Sequence, residues 1–202
     1  MLALLGAVVV LSSCKKDSDS YTPTNTDDYT PAESKSVSVD ASAFDKWIYF
    51  SFETGAVVEV ADFTTSLDWD IAFHRSNIRL NCGLSGKGNG GCLSLGKVLF
   101  NDVAEAPAEG TYEVDATMKV VKVYQQPMVE VEEPANVLMS QWVSISGMSA
   151  SGPIYTINDN IYIVRTAKGR YAKIWLNAYL KEGKGGFITM KYAYQKDGSR
   201  KF

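Results

Sequence analysis

The 202-residue sequence has one histidine, His74. A single imidazole excludes a His-rich metal cluster. It leaves a Ser-His-Asp hydrolase only if His74 is the base, and the Gly-x-Ser-x-Gly elbow such a nucleophile needs is missing. Basic excess is missing too. The formal net charge is −3, so the basic stripe that neutralises phosphates is not there and nucleic acid is not an expected partner. After Leu11 no apolar run approaches the ~20 residues of a membrane-spanning helix. The glycine-rich segment Gly86-Lys87-Gly88-Asn89-Gly90-Gly91 lacks the Gly-Lys-Ser/Thr ending of a phosphate cradle and is expected to be a loop or turn. Glu130, Glu132 and Glu133 are spaced as on a solvated strand face, not as an acid–base pair. With no nucleophile, metal cluster or catalytic pair standing out, the chain is expected to be a binding protein and not an enzyme.

The first residues read as a targeting segment. Met1 to Leu11 is apolar but too short to span a bilayer, and it ends in Leu11-Ser12-Ser13-Cys14. That ending resembles the lipobox of bacterial lipoproteins. Residues 1–13 are then a signal peptide, and Cys14 becomes a lipid-bearing mature N-terminus. A basic n-region is missing, which points to a start codon upstream of Met1. Residues 14–34 are rich in Ser, Thr, Asp and Pro and have little apolar surface to bury, so an unstructured tether is expected there. Its charged start resembles surface-export signals, which places the protein on the outer membrane, held only through lipid. Residues 35–202 suit one domain with a sizeable core.

In that domain apolar residues recur with a period of two. Trp47–Phe52, Lys119–Tyr124, Met128–Glu132, Ile154–Ile157, Ile161–Val164, Tyr171–Leu176 and Phe187–Tyr194 read as strands. Asn158-Asp159-Asn160, Ala167-Lys168-Gly169 and Glu182–Gly186 read as turns between them. The pattern predicts an all-β, single antiparallel domain, with room for one helical turn around Pro134–Met139.

Cys82 and Cys92 flank the glycine-rich loop. They could close a small disulfide in an oxidising compartment or remain separate buried thiols, and the spacing leaves both open. His74 is expected to be a partly buried residue that hydrogen-bonds within a strand. Met128 follows Pro127 at the start of an acidic strand. Met148 lies in a loop of small residues, Ser146-Gly147-Met148-Ser149-Ala150-Ser151-Gly152-Pro153. Each methionine could fill a gap in the core or offer a soft thioether to a ligand.

Three stretches carry a family resemblance. They are Ser36–Ser42 leading into Trp47–Phe52, Leu67-Asp68-Trp69-Asp70-Ile71-Ala72-Phe73-His74-Arg75 running on to the glycine-rich loop, and Gly152-Pro153-Ile154-Tyr155 followed by Ile161–Arg165. Together they resemble the HmuY family of haem-binding lipoproteins, and the resemblance covers nearly the whole chain after the tether. It implies a fold shaped like a grasping right hand, with haem between finger and thumb loops. It also implies a hemophore that takes haem from host haem-carrier proteins and passes it to an outer-membrane TonB-dependent haem transporter.

In the founding member of that family two histidines bind the iron. Counting back from Gly152-Pro153, the place of the second is held here by Met148, and Pro127 or Met128 stands near the first. The chain thus departs from the bis-histidine pattern and resembles a branch that uses two methionines. The resemblance implies Met128 and Met148 as axial ligands, with Met139 in reserve for the first. Thioether sulfur is a known axial donor to haem iron. Tyr124, Trp142 and Tyr155 are candidates to line the pocket, with core packing the favoured role for each. The competing expectation is a surface-interaction or adhesin-like lipoprotein module that no longer binds haem.

Overall fold

A computed structural model describes residues 30–108, 110–123, 127–150 and 152–202. The expected signal peptide, Cys14, most of the expected tether and Tyr124 lie outside the described residues. Those described form β1 (Ser34–Asp40), β2 (Ile48–Ser51), β3 (Ala56–Val58), β4 (Ile71–His74), β5 (Asn77–Leu80), β6 (Gly91–Ser94), β7 (Ala116–Val123), β8 (Val129–Ala135), β9 (Val143–Ser149), β10 (Gly152–Ile157), β11 (Ile161–Arg165), β12 (Tyr171–Lys181) and β13 (Lys184–Gln195). The recorded strand pairings are antiparallel, so the fold is the all-β one that the alternating pattern predicts.

The strands make a five-stranded sheet, ordered β1-β13-β12-β11-β6, and a four-stranded sheet, ordered β3-β2-β4-β5. Alternate residues of both sheets meet in one core. Val39, Ile174, Leu176, Ile188 and Met190 come from the first, and Phe50, Ile71, Phe73, Ile78 and Leu80 from the second. Full burial of each such side chain contributes about 1.5–3 kcal/mol. On β11, Tyr162 and Val164 face this core, while Ile161 and Ile163 face a smaller cluster with Phe100 and Val103. Coverage on both faces explains why β11 reads as an unbroken apolar run.

The other two sheets are two-stranded hairpins, β7–β8 and β9–β10. Each is fixed at its root. Just before β7, the Asp115 carboxylate accepts bonds from the Leu80 amide at 2.8 Å and the Ser85 hydroxyl at 2.6 Å. Just after β8, Asn136 donates its amide to Ile78 at 2.8 Å and its side chain to Asp115 at 3.2 Å. The second hairpin is rooted by Trp142, which is fully buried and donates its indole N–H to Ser76 at 2.9 Å.

One expectation changes and two others are sharpened. Cys82 and Cys92 are free, buried thiols and not a disulfide. They point into the hairpin root, Cys92 donating to Asn136 at 3.1 Å. Burial and the nearby Asp115 push Cys82 up to about 12, and burial pushes Cys92 up further. The glycine-rich loop is packed, not loose. Gly88 and Gly90 donate their amides to Asn81, and a Cβ on either would come within 2.6 Å of it. Lastly, Glu182–Gly186 is not all turn, because β13 already begins at Lys184.

Candidate functional site

The two hairpins flank a cleft of about 190 Å³. One wall is β7, through Lys119 and Val121. The other is the β9–β10 hairpin, through Val143, Ser144, Ile145 and Tyr155. The floor is the β4–β5 turn (Arg75, Ser76 and Asn77) with Phe44 and Tyr179.

The register sets what each hairpin turns toward this space. Residues directly opposite on an antiparallel pair share a face. Val121 pairs with Glu130 and Lys119 with Glu132, so both glutamates lie on the cleft face of the first hairpin. Lys119 is 3.8 Å from Glu130. On the second hairpin Tyr155 pairs with Ile145, yet Ile154 pairs with Gly147, so Ser146 is an extra residue in β9. A bulge of this kind re-aims the side chains beyond it. Met148 pairs with Pro153, two residues from Tyr155 on the regular strand. Met148 therefore shares the face of Ile145 and Tyr155, which is the cleft face. In a regular strand the three steps from Ile145 to Met148 would have put it on the opposite face, and the bulge brings it back.

Met148 lies in a paired strand near the hairpin's tip, and not in the loop its small neighbours suggest. Ser and Gly contribute little β signal, but a partner strand satisfies their backbone all the same. Its side chain is 72% exposed. Met128 precedes β8 in the β7–β8 connection and is 48% exposed. Neither methionine supports the core, and neither lines the floor of the cleft. Met139 does the reverse. It is fully buried in a 3-10 turn (Met139–Gln141), with its amide donated to Asn136 at 3.0 Å, so its sulfur is not available to a ligand. Trp142 is likewise a core residue, the role expected for it ahead of lining the pocket. Of the three expected lining residues, Tyr155 does line the cleft, its ring edge-on to Tyr179 at 4.8 Å.

His74 lies in strand β4, as expected, but it is buried more deeply than expected and its ring meets a carbonyl outside the strands. It is fully buried, Nε2 lies 2.9 Å from the Phe44 carbonyl, and burial lowers its pKa. No group of three or more His, Cys, Asp or Glu residues that could hold a metal ion occurs among the described residues. Burial raises the pKa of the Tyr179 hydroxyl, so it stays protonated at neutral pH.

The sequence did not single out Arg75, Lys119 or Tyr179. Arg75 carried the one available signal, since a charged residue stood where a two-residue hairpin turn favours Gly or Asn. Its φ is 55°. A larger cavity, of about 510 Å³, opens beside Phe52, Tyr192 and Tyr194. It lies where Thr30–Glu33 enter the fold and holds no methionine or other soft donor.

The HmuY protein family matches residues 43–192. Among solved structures, a Bacteroides vulgatus protein described as HmuY-like and heme binding is 27% identical, with a TM-score of 0.63 over 79% of this chain and 90% of that one. The apo HmuY analog of Tannerella forsythia is 22% identical, with a TM-score of 0.67 over 84% and 99%. A Bacteroides fragilis protein described as a lipoprotein is 23% identical, with a TM-score of 0.61 over 79% and 88%. No curated protein matches the chain.

Proposed function

The chain belongs to the HmuY family, and from that premise we propose that it is a haem-binding surface lipoprotein whose iron ligands are Met128 and Met148. The observation that carries the reading is that two exposed methionines, neither of them lining the cleft, belong to the two hairpins that flank it, with Met148 on the same hairpin face as Ile145 and Tyr155. Exposing a large apolar side chain gains nothing for the fold. A soft thioether held out toward a site walled by Val121, Val143 and Ile145 suits a flat, apolar ligand with a metal at its centre. When bound, haem would supply an iron with two axial positions for sulfur, and Met in place of His raises its reduction potential. The role proposed is capture without chemistry.

In the same reading Cys14 carries the lipid that holds the protein at the outer membrane. The protein would act as a hemophore, drawing haem from host carriers and passing it to a TonB-dependent transporter. The description of the Bacteroides fragilis neighbour as a lipoprotein supports the anchoring.

The test is a titration of ferric haem into the soluble domain, beside Met128→Ala and Met148→Ala, read by absorbance in both oxidation states. Saturable binding with low-spin features, weakened in each variant and lost in the pair, is the expected result. Binding that survives both changes would move the ligands elsewhere. Absence of saturable binding to the wild type would leave the interaction-module reading in its place.

A further inference from the structure

The cleft floor raises a separate question, namely which edge of a ligand it is built to receive. At about 190 Å³ it is smaller than the ~300–1,000 Å³ sites that enclose a drug-sized molecule. It can take one edge of a porphyrin but not its plane. The edges differ, since the propionate side is anionic and the vinyl side apolar.

The floor is polar and cationic, while the walls mix Val121, Val143 and Ile145 with Lys119 and Ser144, and Glu130 and Glu132 share the cleft face of β7–β8. Arg75 sits in the floor with φ 55°, a region sparsely used by residues other than Gly, Asn and Asp. Such an outlier persists only where its surroundings fix it. Here they do. Nη1 donates to the Ser42 carbonyl at 3.0 Å and to the Gly185 carbonyl, and the guanidinium lies 4.5 Å over the Phe44 ring. A cation held this rigidly loses little entropy when it pairs with an anion. Lys119 projects from the β7 wall into the same space, and among the described residues its ion-pair partner is Glu130, at 3.8 Å, on the same cleft face. Tyr155 and Tyr179 add hydroxyl donors.

We infer that the floor is a carboxylate-binding subsite in which Arg75 and Lys119, assisted by Tyr155 and Tyr179, receive the propionate edge of the ligand. The inference rests on the haem reading above and assigns the orientation of entry, propionates toward the floor and the apolar edge toward the hairpin tips.

The experiment compares ferric haem with its dimethyl ester, which keeps the iron and the ring but removes both negative charges. Hydrogen bonds to charged groups are worth enough that haem is expected to bind at least about tenfold more tightly than the ester. Lys119→Gln is expected to weaken haem and leave the ester unchanged, narrowing that gap. Arg75→Lys provides a second variant that keeps the charge but loses the planar fork, and it too is expected to act on haem alone. Equal, saturable binding of haem and ester would overturn the subsite and leave the haem reading standing. So would a gap that neither variant narrows. If neither ligand binds saturably, the haem reading itself falls and takes this inference with it.

Discussion

The guanidinium of Arg79 lies 4.0 Å from the centre of the Trp47 ring. It is also 4.5 Å from the centre of Phe63, on the other sheet face from the main core. From β5 its Nε donates to the Pro134 carbonyl at 2.9 Å, and Nη2 is 3.5 Å from Glu133. Trp47 donates to the same glutamate at 2.9 Å. A buried cation thus ties the base of the β7–β8 hairpin to the four-stranded sheet. Removing one member of a buried pair leaves the other poorly solvated, at a cost of about 3–5 kcal/mol. Glu133 keeps Lys122 at 2.8 Å, which offsets part of that. Arg79→Ala is expected to destabilise the fold by about 3 kcal/mol in urea unfolding at neutral pH. A loss under about 1 kcal/mol would mean the hairpin is held by something else.

Asp115 and His74 are expected to bend the stability curve in opposite directions. Burial pushes the Asp115 carboxyl up to about 6 from 3.8, against the bonds it accepts from Ser85 and Leu80. The folded state then binds its proton more tightly than the unfolded chain does. Its contribution is complete below about pH 4 and is lost as pH rises through about 6, a difference of roughly 3 kcal/mol. His74 is kept neutral by burial, so its contribution is present above about pH 6.5 and is lost as pH falls. Unfolding midpoints of wild type and Asp115→Asn, measured from pH 4 to 7, separate the two. The advantage of wild type over the variant should shrink as pH rises. An advantage that grows with pH would mean Asp115 works as an ionised partner.

The bulge in β9 makes a sharper prediction about the site. Ser146 is the extra residue, and its hydroxyl bonds to Thr156 at 2.7 Å. Deleting it leaves two steps from Ile145 to Met148, so the restored ladder keeps Met148 on the cleft face. The deletion is therefore expected to bind haem much as the wild type does, unlike Met148→Ala. Ser146→Ala keeps the backbone count and is expected to bind normally. Loss of haem binding by the deletion variant would show that the cleft-face placement of Met148 is not what the site needs.

The elements that could be read from the chain are those whose side chains carry the signal themselves. Ile161–Val164 and Phe187–Tyr194 are β-branched and aromatic, and both are strands. By contrast β9 is built of Ser and Gly around Val143 and Ile145, and only its pairing with β10 makes it a strand. The cleft was still less legible. Its floor joins Arg75 to Gly185 and Phe44 to Tyr179, contacts between segments over a hundred residues apart that local pattern cannot encode. Met148 was found through its spacing from a Gly-Pro-x-Tyr motif, and Met128 through its place before an acidic strand. Their exposure and the bulge that orients one of them are properties of the fold alone.

Met139 and Met148 provide the cleanest separation of packing from ligation. Met139 is fully buried beneath the β9–β10 root, where a change to Ala leaves a cavity and costs about 2–5 kcal/mol. Met148 is 72% exposed, and substitutions at such surface positions usually stay within about 0.5 kcal/mol. Met139→Ala is therefore expected to lower the thermal midpoint while leaving the low-spin haem spectrum intact at temperatures where it stays folded. Met148→Ala is expected to leave the midpoint of the ligand-free protein unchanged and to lose that spectrum. Both measurements can be made on the same two preparations, by thermal unfolding followed by a haem titration. A Met139→Ala variant that stays folded but loses the spectrum would return the ligand to the core, and with it the cleft would lose its claim to the site.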